Sequence, residues 1–230
     1  MYMKNGSANE IIKVENLPDV LDIVPIKTNP EIKYKYSYWL SILLNDVDFS
    51  LKADPVHTRN HASRVLMHAL IMSYGMNLTE RDIDAVAMAS IFHDTRRKDN
   101  SFDVGHGARA AEYYKAYTSP FSNAPAHIVF DGRAAEAMAW HDHDDIYGLP
   151  HVSLFPGGKN IYYILKDADA LGRFRLNINT GLDKRYLRTD ISHGLISFAR
   201  KLVSITQSKE ERAFIRRISR QSRRHYHSHK

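Results

Sequence analysis

His93 and Asp94 stand side by side at the end of the apolar run AVAMASIF, and Arg96, Arg97 and Lys98 follow almost at once. His61 lies upstream in HASRV, and Asp169 lies downstream in KDADALGR. An imidazole-carboxylate set of this kind binds one metal ion, and the mixture suits Mn, Fe, Ni, Co or Zn better than Mg. The chain has no cysteine, so a thiolate site and a disulfide framework are both excluded. A lone His-Asp dipeptide is most often a surface pair. Neighbouring residues on a helix point about 100° apart, so both can face one ion only at a helix end or in a groove between helices.

The elements that must position these residues read as helices. Residues 1–29, with Pro18 and Pro25, form a lead-in with a short helix around Leu17 to Ile23. A helix is expected from Glu31 to about Asn45, its Tyr34, Tyr36, Tyr38 and Trp39 serving core and rim packing. After the break at Asp54-Pro55 comes a helix from Arg59 to Tyr74, with Ala62, Val65, Leu66, Ala69, Leu70 and Met72 at helical spacing and Gly75 as its stop. Thr79 opens the next helix with a capping-box pattern and delivers His93-Asp94 at its end. Further helices are expected over 105–117, 132–141, 160–171 and most of 182–205, with a basic one from Ser208. HDHDDIYGLPHVSLFPGG reads as a long connection. Strand alternation is weak throughout. The fold class is therefore all-α, a single multi-helix bundle over 30–206 with a basic helix or tail over 207–230.

Taken together, H-x-x-R-V on one helix, His-Asp at the end of a later one and D-A-D-x-L on another resemble the HD-domain superfamily of metal-dependent phosphohydrolases. The resemblance spans His57 to about Arg175. HTRNHASRV, FHDTRRKDNSFDVGHGARAAE and DADALGR are similar to a bacterial subgroup without an assigned substrate. It implies the all-α fold and makes His61, His93, Asp94 and Asp169 the metal ligands. Asp169 is preferred to Asp167 because the second acid of DAD aligns with the superfamily's terminal Asp. It also implies that His106, in VGHGARAAE, bridges to a second ion or contacts substrate. AWHDHDDIYGLP loosely resembles the His-rich segment of cyclic-dinucleotide phosphodiesterases, but lacks their paired histidines and GYP. His141 is its candidate second-ion ligand or catalytic group, and His143 a supporting or exposed residue.

Phosphate bound at such an ion needs cations. Arg96 and Arg97 are the first candidates, since a guanidinium fork matches phosphate oxygens. Arg173 and Lys166, at i+4 and i−3 from Asp169, share its helix face. His57, one turn before His61, is a cap or cleft-wall residue, and His68, two turns after it, a packed or surface one. The bland alternatives are solvated turns and salt bridges.

Apolar content of 43% and charged content of 25% are ordinary for a soluble globular chain. No apolar run approaches the ~20 residues of a membrane span, and no signal-peptide core precedes the body, so a cytoplasmic protein is expected. The net charge of +6 is concentrated in residues 212–230, whose seven Lys and Arg leave a body at about −1. A near-neutral body gives no global steering of a polyanion, so nucleic acid is a less favoured partner than a small phosphorylated metabolite. The expected function is hydrolysis of a phosphomonoester or phosphodiester, of a nucleotide or similar metabolite, with one or two divalent transition-metal ions. The alternatives are a di-iron HD-type oxygenase and a nuclease using the basic tail. No Gly-rich phosphate loop competes. The sequence does not fix oligomeric state.

Overall fold

Every residue from Asn60 to Ser73 is buried, so the helix that carries His61 has no solvent face. A helix buried all round belongs at the centre of a bundle. In the computed structural model, which describes residues 30–52, 58–100, 103–122, 124–125 and 128–217, this helix is α2 (Arg59–Gly75). It packs against α1 (Pro30–Asn45), α3 (Glu80–Phe92) and α7 (Gly158–Gly172). The α3 run Ala85–Phe92 is continuously buried, and α7 buries Ile161, Tyr162, Ile164, Leu165, Ala168 and Leu171. Helices α4 (His106–Tyr117), α5 (Gly132–Trp140) and α6 (Asp145–Val152) lie to one side, with α5 packed against α3, α4 and α7. Then come 3-10 turns at Arg173–Arg175 and Lys184–Tyr186, α8 (Asp190–Gly194), α9 (Ile196–Thr206) and helix α10 over 209–217. The fold is all-α, and no strand occurs among the described residues.

The expected caps form at the helix carrying the His-Asp pair. Thr79 is extended, and its hydroxyl accepts the Asp82 N–H at 3.3 Å. Ser208 does the same for Glu211 at 3.0 Å and opens α10. Met76 follows Gly75, so the glycine ends the helix from inside it.

One expectation needs correction. The stretch read as one long connection contains α6, which begins after extended Asp144. Its Gly and Pro are tolerated because the helix is only two turns long. Pro150 forfeits one backbone bond there, and Gly148 lets Tyr162 approach closely. The stretch 182–205 is mainly helical, as expected, but in separate pieces rather than one helix. It holds a 3-10 turn, an extended stretch at Leu187 to Thr189, and the separate helices α8 and α9. The extended stretch is fixed by Asp167, fully buried in α7, which accepts Arg188 N–H at 2.9 Å and Thr189 N–H and Oγ1 at 2.8 Å. The anticipated helix near Leu17 to Ile23, His57 and the terminal residues 218–230 lie outside the described residues. No helix among the described residues is long and apolar enough to cross a membrane.

Candidate metal centre

α3 ends at Phe92, and His93 and Asp94 occupy the turn immediately after it. The turn frees the pair from the 100° stagger of a continuing helix. His61 from the first turn of α2 and Asp169 from the last turn of α7 complete an inner group. His61 Nε2 lies 2.9 Å from Asp169 Oδ1, 3.4 Å from His93 Nε2 and 3.6 Å from Asp94 Oδ2. His93 Nε2 lies 3.7 Å from Asp94 Oδ2 and 3.9 Å from Asp169 Oδ1. Donors held ~2.1 Å from one ion stand roughly 3.0 Å apart at right angles and roughly 3.4 Å apart in a tetrahedron. The observed separations fall around these values, so the residues present fit a single transition-metal ion.

An outer group shares Asp94. His106 Nε2 lies 3.0 Å from Asp94 Oδ1 and 3.0 Å from His141 Nε2. Asp94 thus turns Oδ2 to the inner group and Oδ1 to the outer one. His61, His93 and Asp94 could hold one metal ion, and Asp94, His106 and His141 another.

Three of the four imidazoles are oriented in the same way. His93 Nδ1 lies 2.8 Å from Ser90 O, His106 Nδ1 2.6 Å from Asp103 O, and His141 Nδ1 2.7 Å from Met138 O. A neutral ring donating Nδ1–H to a carbonyl three residues back must carry its lone pair on Nε2. The backbone thereby aims three Nε2 lone pairs into the cluster, the arrangement that metal-binding histidines use.

Two glycines permit the close approach. A Cβ on Gly172 would come 3.0 Å from the His61 ring, so any larger residue there would press on that imidazole. A Cβ on Gly107 would overlap Met138 O and come 2.8 Å from His141 Nδ1, so glycine also sets the crossing of α4 and α5.

Electrostatics follow burial. Burial pushes the His61 pKa well below its ordinary 6.5, and the nearby Arg175 charge adds to this. Burial alone would favour the acid form of Asp169, but the His61 contact outweighs it and holds Asp169 well below the carboxylate range. Burial, then the charges of His106 and His93, push His141 down to about 4. His106 moves the other way, because Asp94 overcomes the effect of burial. His61 and His93 are wholly buried and Asp94 nearly so, whereas 31% of the Asp169 side chain is exposed.

The anticipated cations divide. Arg97 Nη1 lies 3.3 Å from Asp94 Oδ1 and 3.2 Å from His106 Nε2, inside the outer group. Arg96 turns away: its Nη1 donates to Asp48 O at 2.7 Å, and its guanidinium lies 3.3 Å over the Tyr113 ring. Lys166 donates to Asp145 Oδ1 at 2.8 Å and Tyr162 Oη at 3.0 Å, in a network with Arg188. His143 stays apart from the cluster, its ring 5.2 Å from that of Trp140. His68 is buried against Phe198.

Arg173 is exposed, and Arg175 goes inward in its place. The i+4 argument assumed a continuing α-helix. α7 instead ends at Gly172 in a 3-10 turn, which changes the phase. Arg175 is 4% exposed, and its Nε and Nη1 have no hydrogen-bond partner among the described residues. Sequence reasoning also missed Asp142, whose Oδ2 accepts Gly105 N–H at 2.6 Å and lies 3.2 Å from His106 Nδ1. Its adjacency to His141 was the available signal.

A groove of about 730 Å³ lined by Tyr34, Trp39, Arg81 and Phe130 holds none of these donors. Comparison with protein-family models, curated proteins and solved structures finds no match for this chain.

Proposed function

We propose that this protein is a metal-dependent phosphohydrolase acting on a phosphomonoester or phosphodiester of a small metabolite such as a nucleotide. The observation that carries this reading is the convergence of His61, His93, Asp94 and Asp169 with donor separations of 2.9 to 3.9 Å. The sequence resemblance to HD-domain phosphohydrolases points the same way. A divalent ion held by these residues supplies Lewis acidity toward a phosphoryl oxygen and acidifies water. His61 and His93 orient and desolvate the centre. Asp169 forms its solvent-facing edge, where substrate enters. His106, 3.0 Å from Asp94 Oδ1, is the candidate group to relay a proton to a leaving oxygen. Arg175 adds positive charge beside Asp169 and Asp94, which favours an anionic substrate.

The test is hydrolysis of p-nitrophenyl phosphate, bis-p-nitrophenyl phosphate and a panel of mono- and dinucleotides, with Mn²⁺, Co²⁺ or Ni²⁺. Asp94→Ala is the control. Activity should require the added ion and fall by at least ~100-fold in the variant. Equal activity in Asp94→Ala would overturn the site.

A di-iron oxygenase is the second reading. It is favoured by one observation, that Asp94 faces both groups while His106 and His141 stand 3.0 Å apart. Iron content near two per chain with O₂ consumption, and no phosphate release, would select it.

A further inference from the structure

The two donor groups differ in what already touches them. Arg97 Nη1 lies 3.3 Å from Asp94 Oδ1, 3.2 Å from His106 Nε2 and 3.4 Å from His106 Nδ1. Asp94 Oδ1 and His106 Nε2 are atoms that a second ion would need, and His141 Nε2 lies 3.0 Å from the latter. A guanidinium has donors only and keeps its charge at any working pH. It therefore satisfies the lone pairs of the outer group as a cation would, and it repels a divalent ion brought to the same place.

We propose that Arg97 is a built-in cation that competes with a second metal ion for the outer group, so that the chain binds one ion tightly and a second weakly. The proposal rests on the reading of the inner group as a metal site. A second ion enters only when the Arg97 side chain leaves Asp94 and His106. The way out is short. Arg97 stands in the loop after α3, its side chain is 10% exposed, and its Nε also donates to Asp99 O at 3.4 Å. Neighbouring Arg96 cannot take over, because it is held against Asp48 and Tyr113 on another side of the turn.

The test is metal stoichiometry and affinity of the full chain, read by Mn²⁺ calorimetry and by elemental analysis after dialysis. Wild type is compared with Arg97→Met, Arg97→Gln and Arg96→Met, with folding checked by circular dichroism. Wild type should bind one equivalent tightly and a second roughly tenfold or more weakly. Either Arg97 variant should tighten the second step by roughly tenfold or more and leave the first within about threefold, the scale expected when a unit charge is removed near the ion. Arg96→Met should match wild type. Adding His106→Ala to Arg97→Met should abolish the second equivalent and thereby locate it. Equal second-step affinity in wild type and both Arg97 variants overturns the proposal while leaving the inner site standing. Absence of any tight equivalent in wild type overturns both.

Discussion

Arg64 and Glu211 form a two-armed ion pair in which neither side chain is exposed, with Arg64 Nη2 2.6 Å from Glu211 Oε1 and Nη1 3.4 Å from Oε2. Arg64 lies one turn after His61 on α2, so this pair ties α10 to the helix that carries a candidate ligand. Removing one partner of a buried pair leaves an uncompensated charge. Glu211→Ala should lower stability by about 3–5 kcal/mol in urea unfolding. Truncation after Arg217 should leave it within ~1 kcal/mol, because Glu211 stays in place. A variant as stable as wild type would show that α10 is not integral to the bundle.

Asp167 and Asp169 are two residues apart and have separable tasks. Asp167 accepts Arg188 N–H, Thr189 N–H and Thr189 Oγ1 in the core, whereas Asp169 faces His61. Asp167→Ala strands buried donors and should cost about 3 kcal/mol or more, yet keep tight Mn²⁺ binding in the fraction that folds. Asp169→Ala should unfold near the wild-type midpoint and lose Mn²⁺ affinity by ~100-fold. Thermal melts paired with calorimetry distinguish the two, and swapped outcomes would mean that the DAD acids have been assigned the wrong way round.

Gly172→Ala places a methyl group 3.0 Å from the His61 ring. Overpacking of this kind costs typically 1–3 kcal/mol. Because the displaced group is His61, Mn²⁺ affinity should fall together with the melting temperature. Gly194→Ala, with nothing within 4 Å of the added atom, is the matched control and should change neither.

His68 gives the fold an acid sensitivity separate from the centre. Burial lowers its pKa from 6.5 to about 3. The unfolded chain therefore takes up a proton below ~6.5 that the folded chain refuses until about pH 3. This contribution is harmless at pH 7 and progressively destabilises the fold as pH falls through that window. From pH 7 to pH 5 it amounts to about 2 kcal/mol. His68→Leu should lose that much less over the same interval, as measured by urea midpoints at the two pH values. Parallel losses in both proteins would count against a neutral, buried His68.

The all-α class and the helix ends near Asn45, Gly75 and Phe92 were legible because apolar spacing, the Thr79 cap and Gly75 are local signals. The placement of His93-Asp94 was legible for the same reason, since a pair just past the end of an apolar run must sit on a turn. What could not be read was phase and partnership. Arg173 was expected inward because α7 was taken to run on, and a 3-10 turn gives that place to Arg175. Arg96 and Lys166 carry the right charge but are held by Asp48 and Asp145, residues 48 and 21 positions away in the chain. Such long-range partners leave no periodic trace. Helix α6 was hidden by the same Gly and Pro that normally mark loops.

The uneven exposure of the inner group has a kinetic consequence. His61 and His93 are sealed, and only Asp169 reaches solvent, with 31% of its side chain exposed. If this group holds a metal ion as proposed, an arriving hydrated cation would meet this carboxylate first and shed water stepwise to reach the imidazoles behind it. Departure retraces that order, so a chelator in solution waits for the imidazole bonds to open before it can compete. Asp169 is thus the doorway for exchange, and loading should be slow relative to diffusion even where the final affinity is high.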